Sequence, residues 1–260
     1  MKMGVLIVEI GNSVTDFAVF EGEQHLASYT IPTEKLAERE EVLGQVKKIL
    51  YGHSSIIHAA ICSVVPPIGE LFLRILKNSL SGKVLEINSS LLLPFILDYK
   101  PPHALGADRL ALCAFSSRLW QNHAVIALDI GTATTFDVLS SKGVYLGGMI
   151  LPGLDLMAGV LHDRTAKLPQ VHISSSSIPL LGKTTVDCIQ SGVFWGCVKQ
   201  IEGLLAGIRC YLSDAFGEEN ARVIATGGKS RLVAAAMAEP PVIDELAVMK
   251  GAKVLLDMNI

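Results

Sequence analysis

Two short stretches of this sequence place an acidic residue, a glycine and small polar residues directly after an apolar run. One reads Val-Ile-Ala-Leu-Asp-Ile-Gly-Thr-Ala-Thr-Thr over residues 125–135, and the other reads Val-Leu-Ile-Val-Glu-Ile-Gly-Asn-Ser over residues 5–13. The glycine permits a tight turn. The hydroxyl and N–H groups that follow can surround phosphate oxygens, while the acid holds a cation. A single copy would be read equally well as an ordinary polar hairpin, but the repetition favours a phosphate-binding function.

The elements that position these turns are strands. Each apolar run predicts a buried strand, and a second apolar stretch follows each turn, at residues 17–20 and 136–139. Strand and helix patterns then alternate in both parts of the chain. We therefore predict an α/β fold of two duplicated halves, residues 1–119 and 120–260, with mixed sheets flanked by helices and one shared nucleotide cleft.

Composition limits the partners and the compartment. The net charge is −3 and no cluster of Lys or Arg occurs, so a nucleic-acid partner is not expected. The five cysteines are irregularly spaced, which is typical of thiols in a reducing compartment. The first apolar segment is interrupted at Glu9 and is too short for a signal peptide, and no run is long enough to cross a membrane. We expect a cytoplasmic protein with no membrane partner.

Asp108 is the strongest candidate for catalysis. It follows a proline-stiffened segment, Tyr-Lys-Pro-Pro-His over residues 99–103, and precedes a helix predicted over Leu110–Leu119. Aspartate at this position is also a common helix cap. With Arg109 beside it, however, an acid that accepts a proton from a substrate hydroxyl suits phosphoryl transfer.

Two further glycine motifs are candidates for nucleotide binding, and one of them is rejected. Gly182-Lys183-Thr184 resembles the end of a P-loop, but Ser177 stands where that motif requires glycine, so we reject it. Thr226-Gly227-Gly228 follows a predicted strand. It is either a plain turn or a bare backbone surface against which adenine or ribose lies.

With these residues identified, the chain resembles the type III pantothenate kinases, members of the acetate and sugar kinase/Hsp70/actin superfamily. The superfamily's two phosphate motifs match residues 9–16 and 129–135, and its adenosine motif matches residues 226–228. The motifs that distinguish the family match the segments 99–102, 105–109, 147–153, 165–169, 182–185 and 190–192. The resemblance covers nearly the whole chain and implies two actin-like or ribonuclease-H-like halves.

The resemblance also implies an activity and a set of site residues. The activity is ATP-dependent phosphorylation of pantothenate to 4′-phosphopantothenate, the first step of coenzyme A biosynthesis, by a homodimer. By position, Asp108 matches the catalytic base. The residues that match the pantothenate site are Tyr99, Gly106, Ala107, Asp108, Arg109 and Thr185. The residues that match the ATP site are Glu9, Ile10, Gly11, Asn12, Ser13, Val14, Thr15, Asp16 and Thr132.

Two kinds of cation are implied. Asp129 matches a ligand of a monovalent cation, K⁺ or NH₄⁺, and Glu9 is assigned a contact with the Mg²⁺ that accompanies ATP. The family's first motif normally begins with aspartate, and the extra methylene of Glu9 moves the carboxylate by roughly 1.5 Å. Two alternatives therefore stay open: a non-catalytic nucleotide-binding regulator, and a kinase for another small hydroxyl compound.

Overall fold

The computed structural model describes residues 3–260, and the chain forms two compact units. The first unit runs to Leu119 and also includes Leu246–Ile260, and the second unit comprises Trp120–Glu245. Each unit is built around one five-stranded sheet whose apolar side chains pack against helices.

In the first unit, three strands come first and helices then alternate with strands. The elements are β1 (Gly4–Ile10), β2 (Val14–Glu21), β3 (Gln24–Pro32), α1 (Arg39–Gly52), β4 (Ile56–Ser63), α2 (Pro66–Ser79), β5 (Val84–Glu86), α3 (Ala107–Leu119) and, from the end of the chain, α7 (Ala247–Asn259). A 3₁₀ turn over Thr33–Leu36 connects β3 to α1.

The second unit repeats the opening of three strands. Its elements are β6 (Val125–Ile130), β7 (Ala133–Leu139), β8 (Tyr145–Pro152), α4 (Leu154–Asp163), α5 (Thr185–Phe216), β9 (Arg222–Thr226), α6 (Ser230–Ala234) and β10 (Val242–Ile243). A long irregular segment, residues 164–184, connects α4 to α5.

The two sheets have the same topology. Their strand orders are β3-β2-β1-β4-β5 and β8-β7-β6-β9-β10, which are identical when strands are counted from the start of each unit. In both sheets the first three strands are antiparallel and the last two are parallel to the first. The predicted α/β architecture of two duplicated halves with mixed sheets is confirmed.

Side-chain alternation along the central strands separates core residues from the acids. Ile10, at the end of β1, packs into the core that α1 and α2 complete, and Ile130, at the end of β6, packs into the core that α5 completes. Successive side chains on a strand point to opposite faces. Glu9 and Asp129, each one residue earlier, therefore lie on the other face of their sheets.

Individual residues determine where several elements begin and end. Helix α3, predicted over Leu110–Leu119, begins at Ala107. Helix α2 begins at Pro66, where proline at the first helical position gives up no intrahelical hydrogen bond. Helix α5 is continuous and ends where Gly217 adopts a left-handed conformation. The two-residue strand β10 follows two prolines.

The C-terminal helix α7 lies in the first unit, whereas the sequence analysis assigned all of residues 120–260 to the second half. Asn259 accepts a 2.9 Å hydrogen bond from Leu92 N–H and donates one of 3.1 Å to Leu92 O. Lys253 Nζ lies 2.9 Å from Glu23 Oε1 in the turn between β2 and β3. These partners are distant in sequence, so spacing alone gave no sign of them.

Gly251→Ala should destabilise the protein by about 1–3 kcal/mol. Gly251 in α7 lies directly against the backbone of Ala111 in α3, and an added Cβ would overlap it. Gly44→Ala in α1 is the matched control, because a Cβ there meets no atom within 4 Å. The control should gain about 0.5–1 kcal/mol, since alanine loses less backbone entropy than glycine in a helix. Urea unfolding followed by circular dichroism measures the free energy of unfolding of both variants. A gain in Gly251→Ala equal to that of the control would contradict the close packing of α7 on α3.

Candidate active site

The first glycine turn connects β1 to β2 through Gly11, Asn12 and Ser13. Gly11 N–H donates to Val14 O at 2.9 Å. Thr33, directly after β3, donates from its hydroxyl to Gly11 O at 2.7 Å and from its N–H to Ser13 O at 3.0 Å. These bonds fix the backbone of the turn, while the side chains of Asn12 and Ser13 remain exposed.

The second glycine turn, between β6 and β7, repeats these backbone bonds. Gly131 N–H donates to Ala133 O at 3.0 Å, and Gly153 N–H donates to Thr132 O at 3.0 Å. Gly153 directly follows β8, so it occupies the position that Thr33 occupies after β3. Each turn is therefore held by the residue that directly follows the third strand of its own sheet.

The segment after the fourth strand completes the same arrangement in both units. Val64 N–H, after β4, donates to Ile10 O at 3.0 Å, and Lys229 N–H, after β9, donates to Ile130 O at 2.9 Å. Both acceptors are the last residue of the strand that precedes a glycine turn. The duplication thus extends from strand order to individual backbone hydrogen bonds.

Two carboxylates lie side by side at the first turn. Glu9 in β1 is directly opposite Asp16 in β2, so both side chains leave the sheet on the same face. Burial raises the pKa of Asp16 above its ordinary value, and the hydroxyl of Thr30, which donates to Asp16 Oδ1, offsets part of the rise. This oxygen donor set suits Mg²⁺, which proteins usually bind through one or two carboxylates together with substrate phosphates and water.

Asp129 is surrounded by small residues and hydroxyl groups. It lies directly opposite Thr135 in β7 and is the parallel neighbour of Thr226 in β9. Gly227, with φ of +92°, lies so close to the Asp129 carboxylate that a Cβ would overlap it. Within residues 3–260, the buried hydroxyls of Thr134 and Thr135 have no hydrogen-bond partner. An unsatisfied buried hydroxyl opposite a carboxylate fits the cation predicted at Asp129.

Asp108 lies in the first turn of α3. Its Oδ1 accepts a 2.8 Å hydrogen bond from Arg109 N–H, and the Arg109 side chain is buried. Burial raises the pKa of Asp108, and the hydrogen bond and the positive charge of Arg109 only partly offset this rise. A Cβ on Gly106 would lie 2.5 Å from Asp108 Oδ1, so glycine leaves the space that the carboxylate occupies.

The other residues predicted to bind pantothenate lie in two different units. Ala107 and Arg109 are buried in α3, and Tyr99 is half-buried in the segment before it. Thr185 is the exposed first residue of α5 in the second unit. It lines a largely apolar cavity of about 580 Å³, which Pro152 also lines.

The predicted ATP-binding run, residues 9–16, contains side chains of two kinds. Ile10 and Thr15 are buried, and the Thr15 hydroxyl lies 3.0 Å from that of Thr33. The predicted residues with exposed side chains are Asn12, Ser13, Val14 and, in the second turn, Thr132. The motif therefore includes residues that shape the turn as well as residues that a ligand can reach.

Two residues that hold the turns, Thr33 and Lys229, were not among the predicted site residues. Thr33 follows a proline after β3, and no spacing rule connects it to Gly11. Lys229 follows the Thr-Gly-Gly motif directly, and a cation next to a predicted nucleotide motif is the signal that could have identified it.

Residues 3–260 form neither a metal-binding cluster nor a membrane-spanning helix. Across the described part of the chain, no three His, Cys, Asp or Glu side chains are grouped so as to hold a metal ion. Of the helices in residues 3–260, none combines the length and apolar character that crossing a bilayer requires.

Solved structures of low sequence identity share this fold. A conserved putative Baf family transcriptional activator from Campylobacter jejuni superposes with a TM-score of 0.60 at 20% identity, over 97% of both chains. A putative N-acetylmannosamine kinase from Listeria monocytogenes superposes with a TM-score of 0.51 at 11% identity, over 98% of this chain and 99% of its own. These two structures therefore share the fold of two duplicated five-stranded sheets.

Sequence comparison identifies the family. The model for type III pantothenate kinase matches residues 5–207. A type III pantothenate kinase from Chlorobium luteolum is 50% identical over 98% of this chain and 94% of its own length. One from Persephonella marina is 32% identical over 95% of this chain and 96% of its own. The chain belongs to the type III pantothenate kinases, as the sequence analysis predicted.

Asp108→Asn should raise the free energy of unfolding at neutral pH, because it removes a buried charge whose pKa is raised mainly by desolvation. In the wild type, the charged Asp108 carboxylate lowers the free energy of unfolding only at pH values at which this residue is ionised in the unfolded chain. The stability gained by the variant should therefore disappear as the pH falls below the ordinary aspartate pKa of 3.8. Urea unfolding at several pH values measures the difference. A variant that is less stable than wild type at pH 7 would contradict the prediction.

Proposed function

We propose that this chain transfers the γ-phosphoryl group of ATP to the primary hydroxyl of pantothenate in the cytoplasm, giving 4′-phosphopantothenate, the first step of coenzyme A biosynthesis. The observation that carries the proposal is the environment of Asp108. Its pKa is raised by burial, which makes it a stronger base than a solvated aspartate, and it lies next to the buried Arg109. Both residues match the family motif that supplies the catalytic base.

The mechanism is a direct in-line transfer. Asp108 accepts the proton of the pantothenate hydroxyl as that oxygen attacks the γ-phosphorus, and the oxygen that bridges the β- and γ-phosphates leaves with ADP. The N–H groups and exposed side chains of the glycine turns bind and orient the triphosphate. Phosphoryl transfer depends mainly on position and charge compensation, so no covalent intermediate on the protein is needed.

Mg²⁺ accompanies ATP in this proposal, and Glu9, near the end of β1, would contact it. When bound, the ion neutralises charge on the β- and γ-phosphates. The half-buried carboxylates of Glu9 and Asp16, directly opposite each other, support this assignment.

A monovalent cation, K⁺ or NH₄⁺, is proposed at Asp129 in the second unit. The buried, unsatisfied hydroxyl of Thr135 directly opposite supports a ligand set of one carboxylate and neutral oxygens. Such a set carries less negative charge than the Glu9 and Asp16 pair, which suits an ion of single charge.

A homodimer is the proposed assembly. The large apolar residues of α5 do not support it, because most of them, such as Phe194 and Ile201, are buried in the core of their own unit. The support comes from exposed apolar side chains that precede Thr185 in the chain. Leu180 and Leu181 are 67% and 82% exposed, and an apolar surface of this kind often marks a protein interface.

Asp108→Asn should lower kcat by about 10²–10⁴-fold, because the nearly isosteric amide cannot accept the proton. The KM for pantothenate should change little. Asp214→Asn, the same substitution at an exposed site on α5, is the control and should leave kcat unchanged. Phosphopantothenate formation from ATP and pantothenate is the measurement. No product from the wild-type enzyme would refute the proposed function, and normal kcat in Asp108→Asn would make this residue only a helix cap.

Two substitutions at Glu9 separate an active kinase from the rival nucleotide-binding regulator. If the longer acid is tolerated, as we expect, Glu9→Asp changes kcat little or raises it modestly, and Glu9→Gln lowers it sharply by removing the charge. A regulator would instead bind ATP with poor turnover, and Glu9→Asp would restore the rate. Steady-state rates of the three proteins decide the matter. Equal rates would mean that the carboxylate takes no part.

A further inference from the structure

Lys229 connects three segments of the second unit. Its backbone N–H donates to Ile130 O at the end of β6. Its Nζ donates to Ile173 O at 3.0 Å, and the same Nζ lies 3.2 Å from Asp155 Oδ1 in the first turn of α4. The ammonium group therefore bridges the irregular segment 164–184 and α4, while the backbone of the same residue is fixed at the turn after β9.

The segment 164–184, which we call the acceptor loop because it leads directly to Thr185, has no helix or strand of its own and is held partly by α5, from which Trp195 donates to Ile178 O at 3.0 Å. Val171 and Ile173 are buried in the core of the second unit. From α5, Gln190 donates to His172 O at 3.1 Å. Lys229 donates to the next carbonyl along the chain, that of Ile173, so α5 and the turn after β9 hold neighbouring peptide groups of the loop.

The chemistry of the Lys229 site favours a cation. A main-chain carbonyl and a carboxylate both accept hydrogen bonds, and only a donor with several N–H groups satisfies both at once. The Lys229 side chain is 25% exposed and that of Asp155 is 60% exposed, so the bond to the carbonyl of the buried Ile173 is better shielded from water than the ion pair is. Charge-assisted hydrogen bonds in such a setting are stronger than neutral ones.

We propose that Lys229 is a positioning residue that holds the acceptor loop on the turn after β9 and thereby sets the geometry of the pantothenate site at Thr185. This inference rests on the proposed function, since that function assigns Thr185 to pantothenate. Lys229 acts through the loop and has no contact with the reacting atoms. Its loss should weaken acceptor binding more than it slows the chemical step.

The loop contact is tested first on the ligand-free protein, independently of activity. Thermolysin cuts before large apolar residues, so cleavage before Val171 and Ile173 reports release of these buried side chains. In Lys229→Met that cleavage should be about tenfold faster, equivalent to about 1.4 kcal/mol in the opening equilibrium. Lys229→Arg keeps donors for both acceptors and should restore protection. Unchanged cleavage in Lys229→Met would overturn the proposal.

Lys199→Met is the matched control. Lys199 on α5 also forms an ion pair, with Glu202 at 2.6 Å, but neither residue belongs to the acceptor loop. This variant loses one lysine and one ion pair of the same type. Cleavage before Val171 and Ile173 should stay at the wild-type rate. Equal acceleration in the control would show that the effect is general, and would overturn the assignment to Lys229.

Steady-state kinetics test the positioning role. In Lys229→Met the KM for pantothenate should rise about tenfold while kcat and the KM for ATP change much less, and Lys229→Arg should reverse the change. A raised KM for ATP alone would make Lys229 a nucleotide contact and would overturn the proposal. An unchanged KM for pantothenate despite faster cleavage would do the same. A wild-type enzyme without pantothenate kinase activity would refute the proposed function instead, and the cleavage rates would still report the loop contact.

Discussion

The carbonyl group that ends the first strand of each sheet is the constraint on which the candidate site depends. Ile10 O and Ile130 O each accept a hydrogen bond from a backbone N–H in the segment that follows the fourth strand of their sheet. These bonds fix a glycine turn beside the exit of a parallel strand. Because the bonds use only backbone atoms, the side chains around them are free to differ between the two units.

The side chains do differ, and the difference is chemical. In the first unit, Glu9 is paired across the sheet with a second acid, Asp16. In the second unit, the corresponding partner of Asp129 is the hydroxyl residue Thr135. The same backbone therefore supports a doubly acidic pair in one unit and a single acid among hydroxyls in the other, which agrees with the divalent and monovalent ions proposed for them.

Local sequence patterns predicted the strands and turns, whose conformation depends mainly on residues that are close together in the chain. An apolar run, an acid and a glycine were enough to predict both strand–turn–strand units and, through their repetition, the duplicated sheets. Asp108 was selected as a candidate because a proline-stiffened segment precedes it and Arg109 follows it, and its role as the catalytic base stays a proposal. The long-range contacts were not predictable in this way. Thr33 bonds to Gly11, and Lys229 bonds to Ile173, although these partners are far apart in the sequence. The spacing of residues along the chain does not predict such contacts.

The position of α7 has a consequence for the order in which the protein folds. The chain leaves the first unit after Leu119 and returns to it at Leu246, so the second unit is an insertion in the sequence of the first. During synthesis, all residues of the second unit emerge before α7 does, whereas Ala111 in α3 meets Gly251 only after α7 has emerged. The half of the protein that is translated first is therefore the half that finishes folding last.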